Sequence, residues 1–217
     1  MKFFLDSANI DEIKTCKDLN LLDGITTNPT LMSNAVKSKD EIFDLYKEIL
    51  KICPDKPVSF EVTSTEYSEI MKEAEKLIKL SDNVVVKIPI IKDGLKACHD
   101  LTQNGIMTNM TLCFSPMQAL LCAKMGATFV SPFVGRVDDM GADGVQFVAK
   151  IRQIFDNYGY ETQILAASVR GVSHVEMMAE IGCDVATMPL KTMLQLVEHP
   201  STKAGLEKFL SDFSKIA

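Results

Sequence analysis

The chain has 217 residues, 47% hydrophobic and 24% charged, with 23 Lys+Arg against 29 Asp+Glu and a net charge of −6. Such a composition fits a globular chain able to bury a sizeable core, and the negative balance argues against general nucleic-acid binding, so an anionic ligand must be drawn by local basic residues. No apolar run approaches the roughly 18 residues of a membrane span. The opening MKFFLDSAN turns polar too soon for a secretory signal, which predicts a cytoplasmic protein.

Six cysteines (Cys16, Cys53, Cys98, Cys113, Cys122, Cys183) stand among apolar neighbours with no CxxC pair, the pattern of free buried thiols in a reducing compartment. His99, His174 and His199 are far apart and none has a metal-ligand spacing. No metal or cofactor is expected.

In chain order, Lys2–Asp6 reads as a first strand ending in a carboxylate, and Asn9-Ile10-Asp11-Glu12 as a helix start. Gly24–Asn28 is a second strand, closed by Asn28-Pro29. A helix opens near Ser38, with Ile42, Leu45, Tyr46, Ile49 and Leu50 on one face. Pro57–Val62 is a third strand, followed by a helix from Thr65. Val84–Pro89, VVVKIP, is a fourth strand, suited to burial on both faces. A helix bearing Leu95, Cys98 and Leu101 ends at Asn104-Gly105.

Ile106–Leu112 is a fifth strand. Ser115-Pro116-Met117-Gln118 joins an N-cap, a proline at the first helical position and a capping-box Gln. Thr128–Phe133 is a sixth strand, and GRVDDMGADG a loop before a helix closed by Gly159. Gln163–Ser168 is a seventh strand, with Ser173–Glu176 a capping box behind it. Cys183–Thr187 is the eighth strand, and its helix stops at His199-Pro200.

Eight strand–helix units of about 27 residues each match a single (β/α)8 TIM barrel over residues 1–217. A doubly wound open sheet would show fewer units and a Gly-rich first turn. Residues 201–217 form an additional amphipathic helix, with Leu206, Phe209, Leu210, Phe213 and Ile216 on one face. It covers either its own barrel or a neighbouring subunit.

In this fold the chemistry sits at the C-terminal strand ends. Read in order, those ends carry Asp6, Asn28, Glu61, Lys87, Asn109 with Thr111, Ser131 with Phe133, and Ser168 with Arg170. Lys87 points the same way as Val85. Inside a barrel its amine is partly desolvated, which disfavours the ammonium form and prepares the amine to attack a carbonyl. Singly, Asp6 and Asn28 read as well as helix caps or Asx turns as they do as site residues. An inward carboxylate such as Glu61 needs a partner. Arg136 and Arg170 follow strands 6 and 7, near where barrels commonly hold phosphate, and with Ser168 offer charge-assisted bonds to a phosphate monoester.

The motifs GITTNPT (24–30), VVVKIP (84–89), NMTLCFS (109–115), SPFVGRVDD (131–139) and LAASVR (165–170) resemble those of the transaldolases. The closer resemblance is to the short transaldolase-like group that also contains fructose-6-phosphate aldolase, and it covers essentially the whole chain. It implies that Lys87 forms a Schiff base with a ketose donor and that Asp6 takes the proton of the donor's C4 hydroxyl. It further implies that Glu61 works with a water in carbinolamine dehydration, with Thr111 positioning that water, that Asn28, Asn109 and Ser131 bind the dihydroxyacetone hydroxyls, and that Arg136, Ser168 and Arg170 bind phosphate.

Glu61 and Phe133 look like transaldolase, since the aldolases typically carry Gln and Tyr there. A side chain without a hydroxyl at 133 does not help water protonate the enamine. The resemblance thus implies a cytosolic transaldolase of the pentose phosphate pathway acting on sugar phosphates, with no nucleic-acid or membrane partner. The alternatives are an aldolase releasing free dihydroxyacetone and a sugar-phosphate-binding barrel without turnover. The group also implies a homo-oligomer, ring-shaped pentamers paired into decamers, with the last helix reaching a neighbour.

Overall fold

The computed structural model describes residues 1–216. Its elements run β1 (Lys2–Asp6), α1 (Ile10–Asp18), β2 (Gly24–Thr26), α2 (Pro29–Ala35), α3 (Ile42–Ile52), β3 (Val58–Glu61), α4 (Tyr67–Ile78), β4 (Val84–Pro89), α5 (Lys92–Gln103) and β5 (Thr108–Cys113). They continue with α6 (Pro116–Lys124), β6 (Phe129–Pro132), α7 (Val134–Asp139), α8 (Gly144–Tyr158), β7 (Gln163–Ala166), α9 (Val172–Glu180), β8 (Val185–Met188), α10 (Leu190–Gln195) and α11 (Pro200–Phe213). The eight strands are all parallel and close in chain order into a barrel, β8 pairing back onto β1. This is the (β/α)8 architecture the eight-unit pattern predicts.

Strand alternation sorts the buried residues into two bodies. Val84, Val86 and Ile88 face outward into the large cluster shared with the helices. Phe4, Val85, Phe129, Leu165 and Val185 face inward and, with Met107, form the apolar floor of the barrel. Phe4 and Phe129 meet edge to face at 5.8 Å. The Phe4 ring lies against Gly24, where an added Cβ would come within 2.5 Å of it, so β2 can pass this floor only as glycine. Above the floor the inner wall turns polar. Glu61 pairs in register with Lys87, and Lys87 with Asn109, so the three share one inward row.

The structure adds two short helices that the sequence reading leaves out. Asn28, read as a strand end and as a possible helix cap, does cap α2: its Oδ1 accepts the Leu31 N–H at 3.0 Å, and Pro29 takes the first helical position. Most of α7, which begins at Val134, lies in the expected loop GRVDDMGADG, hidden by Gly135 at the helix's second position and Gly141 just beyond its end. The expected capping box at Ser173 does not form. Helix α9 begins two residues earlier than a Ser173 cap predicts, its cap position is Gly171, and Ser173 lies within its first turn.

The expected helix over 201–217 is α11, and Ala217 lies outside the described residues. No residue of α11 is buried, and Leu206, Phe209, Leu210, Phe213 and Ile216 are 55–74% exposed. The apolar face therefore does not pack on its own barrel. Among the described residues no helix is long and apolar enough to cross a membrane.

Candidate active site

The polar rim surrounds a cavity of about 210 Å³ lined by Asp6, Thr26, Asn28, Lys87, Ser131, Phe133, Arg136, Ser168, Arg170 and Thr187, among others. Eight of the eleven residues singled out from the sequence meet there. The other three, Glu61, Asn109 and Thr111, are reached through Lys87 and the neighbouring strands.

Lys87 is the centre. Its side chain is 6% exposed and its Nζ lies 3.0 Å from Glu61 Oε2, itself 12% exposed. The same nitrogen donates to the Thr27 carbonyl oxygen at 2.8 Å. The register explains the pairing, because residues opposed on adjacent parallel strands point the same way. A buried amine is tolerated here because a carboxylate and a carbonyl replace the water it has lost.

Asp6 lines the same cavity. Thr26 Oγ1 donates to Asp6 Oδ1 at 2.8 Å and lies 2.6 Å from Thr187 Oγ1. A hydroxyl has one proton to give, so the chain runs Thr187 to Thr26 to Asp6. Burial pushes the Asp6 carboxyl above the usual carboxylate range, outweighing the nearby Lys87 charge and the Thr26 hydrogen bond, both of which pull it down. A carboxylate so placed is a stronger base than an ordinary one.

A second chain spans the back wall. Ser131 Oγ donates to Asn109 Oδ1 at 2.6 Å, and Asn109 Nδ2 donates to Ser59 Oγ at 3.2 Å. Asn109 is fully buried and thereby held in one orientation. Thr111, opposite Pro89 in register, is buried, and its hydroxyl finds no hydrogen-bond partner among the described residues.

On the far side, Arg136 on α7 stacks its guanidinium 4.9 Å over the Phe133 ring. Arg170 pairs with Asp139 at the rim. Between them Ser168 adopts a left-handed conformation, φ 59°, uncommon for a side-chain-bearing residue and typical of sites where the surroundings enforce it. Asn28 is shared with an adjoining, more apolar cavity of about 370 Å³, whose wall includes Glu61, Met32, Ile42 and Tyr46. Tyr46 stacks on Phe60 at 3.8 Å. Burial, with Glu61 nearby, raises its phenol to about 12.

Three lining residues go beyond the sequence reading. Thr26 and Thr187 read as ordinary β-formers, and only barrel closure brings β8 and β2 to either side of Asp6. Tyr46 reads as one position in the α3 stripe. Strand-end alternation marks Thr26, two residues before Asn28, as inward-facing. Nothing in the local sequence marks the other two. Away from the site all six cysteines are buried, and burial raises their thiols, Cys98 to about 11.

The site thus joins a buried amine, two carboxylates on different strands, fixed hydroxyl and amide groups, and two arginines at one end. Comparison with known proteins agrees with that chemistry. The profile of the family described as "Transaldolase/Fructose-6-phosphate aldolase" matches residues 3–217. A protein named "Probable transaldolase" from Rhizobium meliloti (strain 1021) is 57% identical over 99% of this chain and 97% of its own length. Proteins of the same name from Sinorhizobium medicae (strain WSM419) and Brucella abortus (strain S19) are 56% and 53% identical over the same shares. The chain belongs to the transaldolase/fructose-6-phosphate aldolase family.

Proposed function

We propose that this protein is a transaldolase working through a Schiff base on Lys87. It moves a dihydroxyacetone unit from a ketose phosphate, such as sedoheptulose 7-phosphate or fructose 6-phosphate, to an aldose phosphate, glyceraldehyde 3-phosphate or erythrose 4-phosphate. The observation that carries this reading is the buried Lys87 amine, paired with Glu61, in a cavity it shares with Asp6 and with Arg136, Ser168 and Arg170.

Attack on the donor C2 carbonyl needs the amine without its proton, and Glu61 at 3.0 Å is the nearest base. The carbinolamine then loses water, for which Glu61 supplies the proton and the unpartnered Thr111 hydroxyl a resting place. The resulting iminium is an electron sink. Asp6 accepts the C4 hydroxyl proton, the C3–C4 bond breaks, and the aldose leaves with the enamine retained on Lys87. Addition to an acceptor aldehyde reverses these steps, Asp6 returning its proton to the new hydroxyl. Asn28, Asn109 and Ser131 hold the hydroxyls of the three-carbon unit.

Phe133 lines the cavity without a hydroxyl to assist protonation of the enamine, which favours transfer over release of free dihydroxyacetone. Borohydride trapping with fructose 6-phosphate, followed by peptide mass spectrometry on wild type and Lys87→Ala, tests the core of the proposal. An adduct on Lys87, and turnover dependent on erythrose 4-phosphate, are the expected results. A wild-type protein without an adduct removes the Schiff base. Turnover without an acceptor replaces transferase by aldolase.

The same reading places the chain, as one barrel domain, in the cytoplasmic pentose phosphate pathway as a homo-oligomer, a pentamer or a decamer. The uncovered face of α11 supports the assembly. Light scattering that gives a mass near the 24.0 kDa of one chain removes it.

A further inference from the structure

The loop that carries Ser168 and Arg170 has little structure of its own, yet its backbone is tied at almost every residue. Phe133 and Ala167 form an isolated parallel bridge beyond β6 and β7. Val134 N–H donates to the Ala167 carbonyl at 3.0 Å, and Gly135 N–H to the Ser168 carbonyl at 3.1 Å. Gly135 is required at that contact, because an added Cβ would lie 2.3 Å from the Ser168 carbonyl oxygen and 2.5 Å from Arg170 Nε. Helix α7 is therefore the bed on which the loop rests.

The next backbone donor is Arg170 N–H, and its acceptor is a side chain: His174 Nδ1, at 3.2 Å. The imidazole is mostly buried, 17% exposed, and its other nitrogen, Nε2, lies 3.1 Å from Asp138 Oδ2. Asp138 belongs to α7, and its second oxygen accepts the Gly144 N–H at 2.8 Å at the start of α8. A ring nitrogen that accepts from a backbone N–H has no proton of its own. The proton must then sit on Nε2, where Asp138 receives it. Both ring nitrogens are committed, in one tautomer and one ring orientation.

From this geometry we propose that His174, oriented by Asp138, is a positioning residue for the anion end of the site. It fixes the Arg170 backbone, and so the guanidinium, in the place where a substrate phosphate binds. The inference rests on the proposed phosphate role of Arg136, Ser168 and Arg170. The family motifs quoted above end at Arg170 and do not reach His174. The capping-box reading of Ser173 to Glu176 assigns the histidine nothing. The histidine touches neither the cavity nor a reacting atom, so its effect falls on binding of the phosphate and not on the Lys87 chemistry.

The test uses two side chains that each keep one half of the imidazole. His174→Asn keeps an acceptor close to the Nδ1 position but does not reach Asp138. His174→Gln reaches toward Asp138 and leaves Arg170 N–H without its acceptor. Three probes are read on the intact protein: calorimetric binding of inorganic phosphate, KM and kcat with fructose 6-phosphate and erythrose 4-phosphate, and borohydride trapping of non-phosphorylated dihydroxyacetone on Lys87. Losing one backbone hydrogen bond from a binding loop weakens the phosphate contact roughly five- to tenfold.

His174→Gln is expected to raise the phosphate Kd and the fructose 6-phosphate KM by that factor, with kcat and dihydroxyacetone trapping close to wild type. His174→Asn is expected to restore most of the phosphate affinity. The proposal is overturned by Gln and Asn behaving alike, by the reverse order, or by losses as large with dihydroxyacetone as with fructose 6-phosphate. Failure of the enzyme reading looks different. A wild type that binds phosphate and shows the Gln/Asn split, yet traps no adduct, sinks the transaldolase and leaves the brace. A wild type that traps adduct but binds no phosphate sinks the brace and leaves the Schiff base.

Discussion

Removing the carboxylate of Glu61 while keeping Lys87 tests the electrostatic logic of the site without any assumption about substrate. At 3.0 Å, with an effective dielectric constant of about 20, the attraction between the two charges is roughly 5 kcal/mol. Taking both ions out of water costs a similar amount, so the pair as a whole contributes little to net stability. The asymmetry lies in the single variants. Glu61→Ala takes away the ion-pair partner of the buried Lys87 ammonium, leaving the Thr27 carbonyl as its hydrogen-bond partner and Asp6 beyond ion-pair distance, at a cost of about 3–5 kcal/mol.

For a chain of this size, Glu61→Ala should lower Tm by roughly 6–20 °C in thermal unfolding followed by circular dichroism. The double variant Glu61→Ala/Lys87→Met removes both charges and puts an apolar chain of similar length over the barrel floor. It should regain most of the loss and return to within about 1–2 kcal/mol of wild type. A Glu61→Ala protein with unchanged Tm, or a double variant less stable than either single, would refute the claim that burial makes each charge depend on the other.

Three further outcomes follow from the same structure. A carboxyl raised in the folded state holds its proton more tightly there than in the unfolded chain. Ionised Asp6 therefore costs stability as pH climbs from below the unfolded value, about 3.9, through the raised one, and costs nothing in acid below both. Asp6→Asn should be more stable than wild type at neutral pH, lose that advantage near about pH 3–4, and be inactive in transfer; an equal Tm difference across the range refutes the sign. Gly24→Ala should overpack the floor against Phe4 and cost about 1–3 kcal/mol, and Phe4→Leu should partly rescue it; additive losses in a denaturant double-mutant cycle would show that the ring is not the obstacle. With burial raising their thiols, the six cysteines should stay silent to a thiol reagent until the chain unfolds, and a rapid reaction in the native state would contradict their placement.

Strand β4 shows why so much of this was legible. A run of valine and isoleucine marks a strand covered on both faces, Pro89 marks its end, and alternation puts Lys87 with Val85 on the inner wall. Repetition of that unit specifies a barrel, and the barrel specifies which strand ends converge. Short elements escaped, because α2 and α7 span seven and six residues, too few for a helical period to emerge, and each holds a helix breaker in its first turn, Pro29 in α2 and Gly135 in α7. Contacts that depend on closure escaped as well. Thr187 is a bland β-former until β8 returns to β1, and His174 looks like a helix-start residue until α7 brings Asp138 to its far side. Asn28, weighed between cap and ligand, is a cap that also lines the cavity.

Charge balance around the mouth sets a direction for whatever enters it. Lys87 is matched by Glu61, Arg170 by Asp139, and burial opposes the ionisation of Asp6. Arg136 is different: it forms no ion pair among the described residues and rests on an aromatic face, which attracts a cation without neutralising it. The strongest pull on an anion thus comes from the part of the cavity wall that carries Arg136 and Arg170. Asp139 is more than half exposed, so the rim pair it makes is cheap to open. An arriving phosphate can take the Arg170 guanidinium bidentately while water receives the carboxylate. The Lys87–Glu61 pair is buried and expensive to break by charge alone, so an anion has little to gain there. On the proposed reading, a phosphorylated ketose enters with its phosphate toward Arg136 and Arg170 and its carbonyl end toward Lys87. The orientation follows from which ion pairs are cheap to open and which are not, before any contact with the sugar is made.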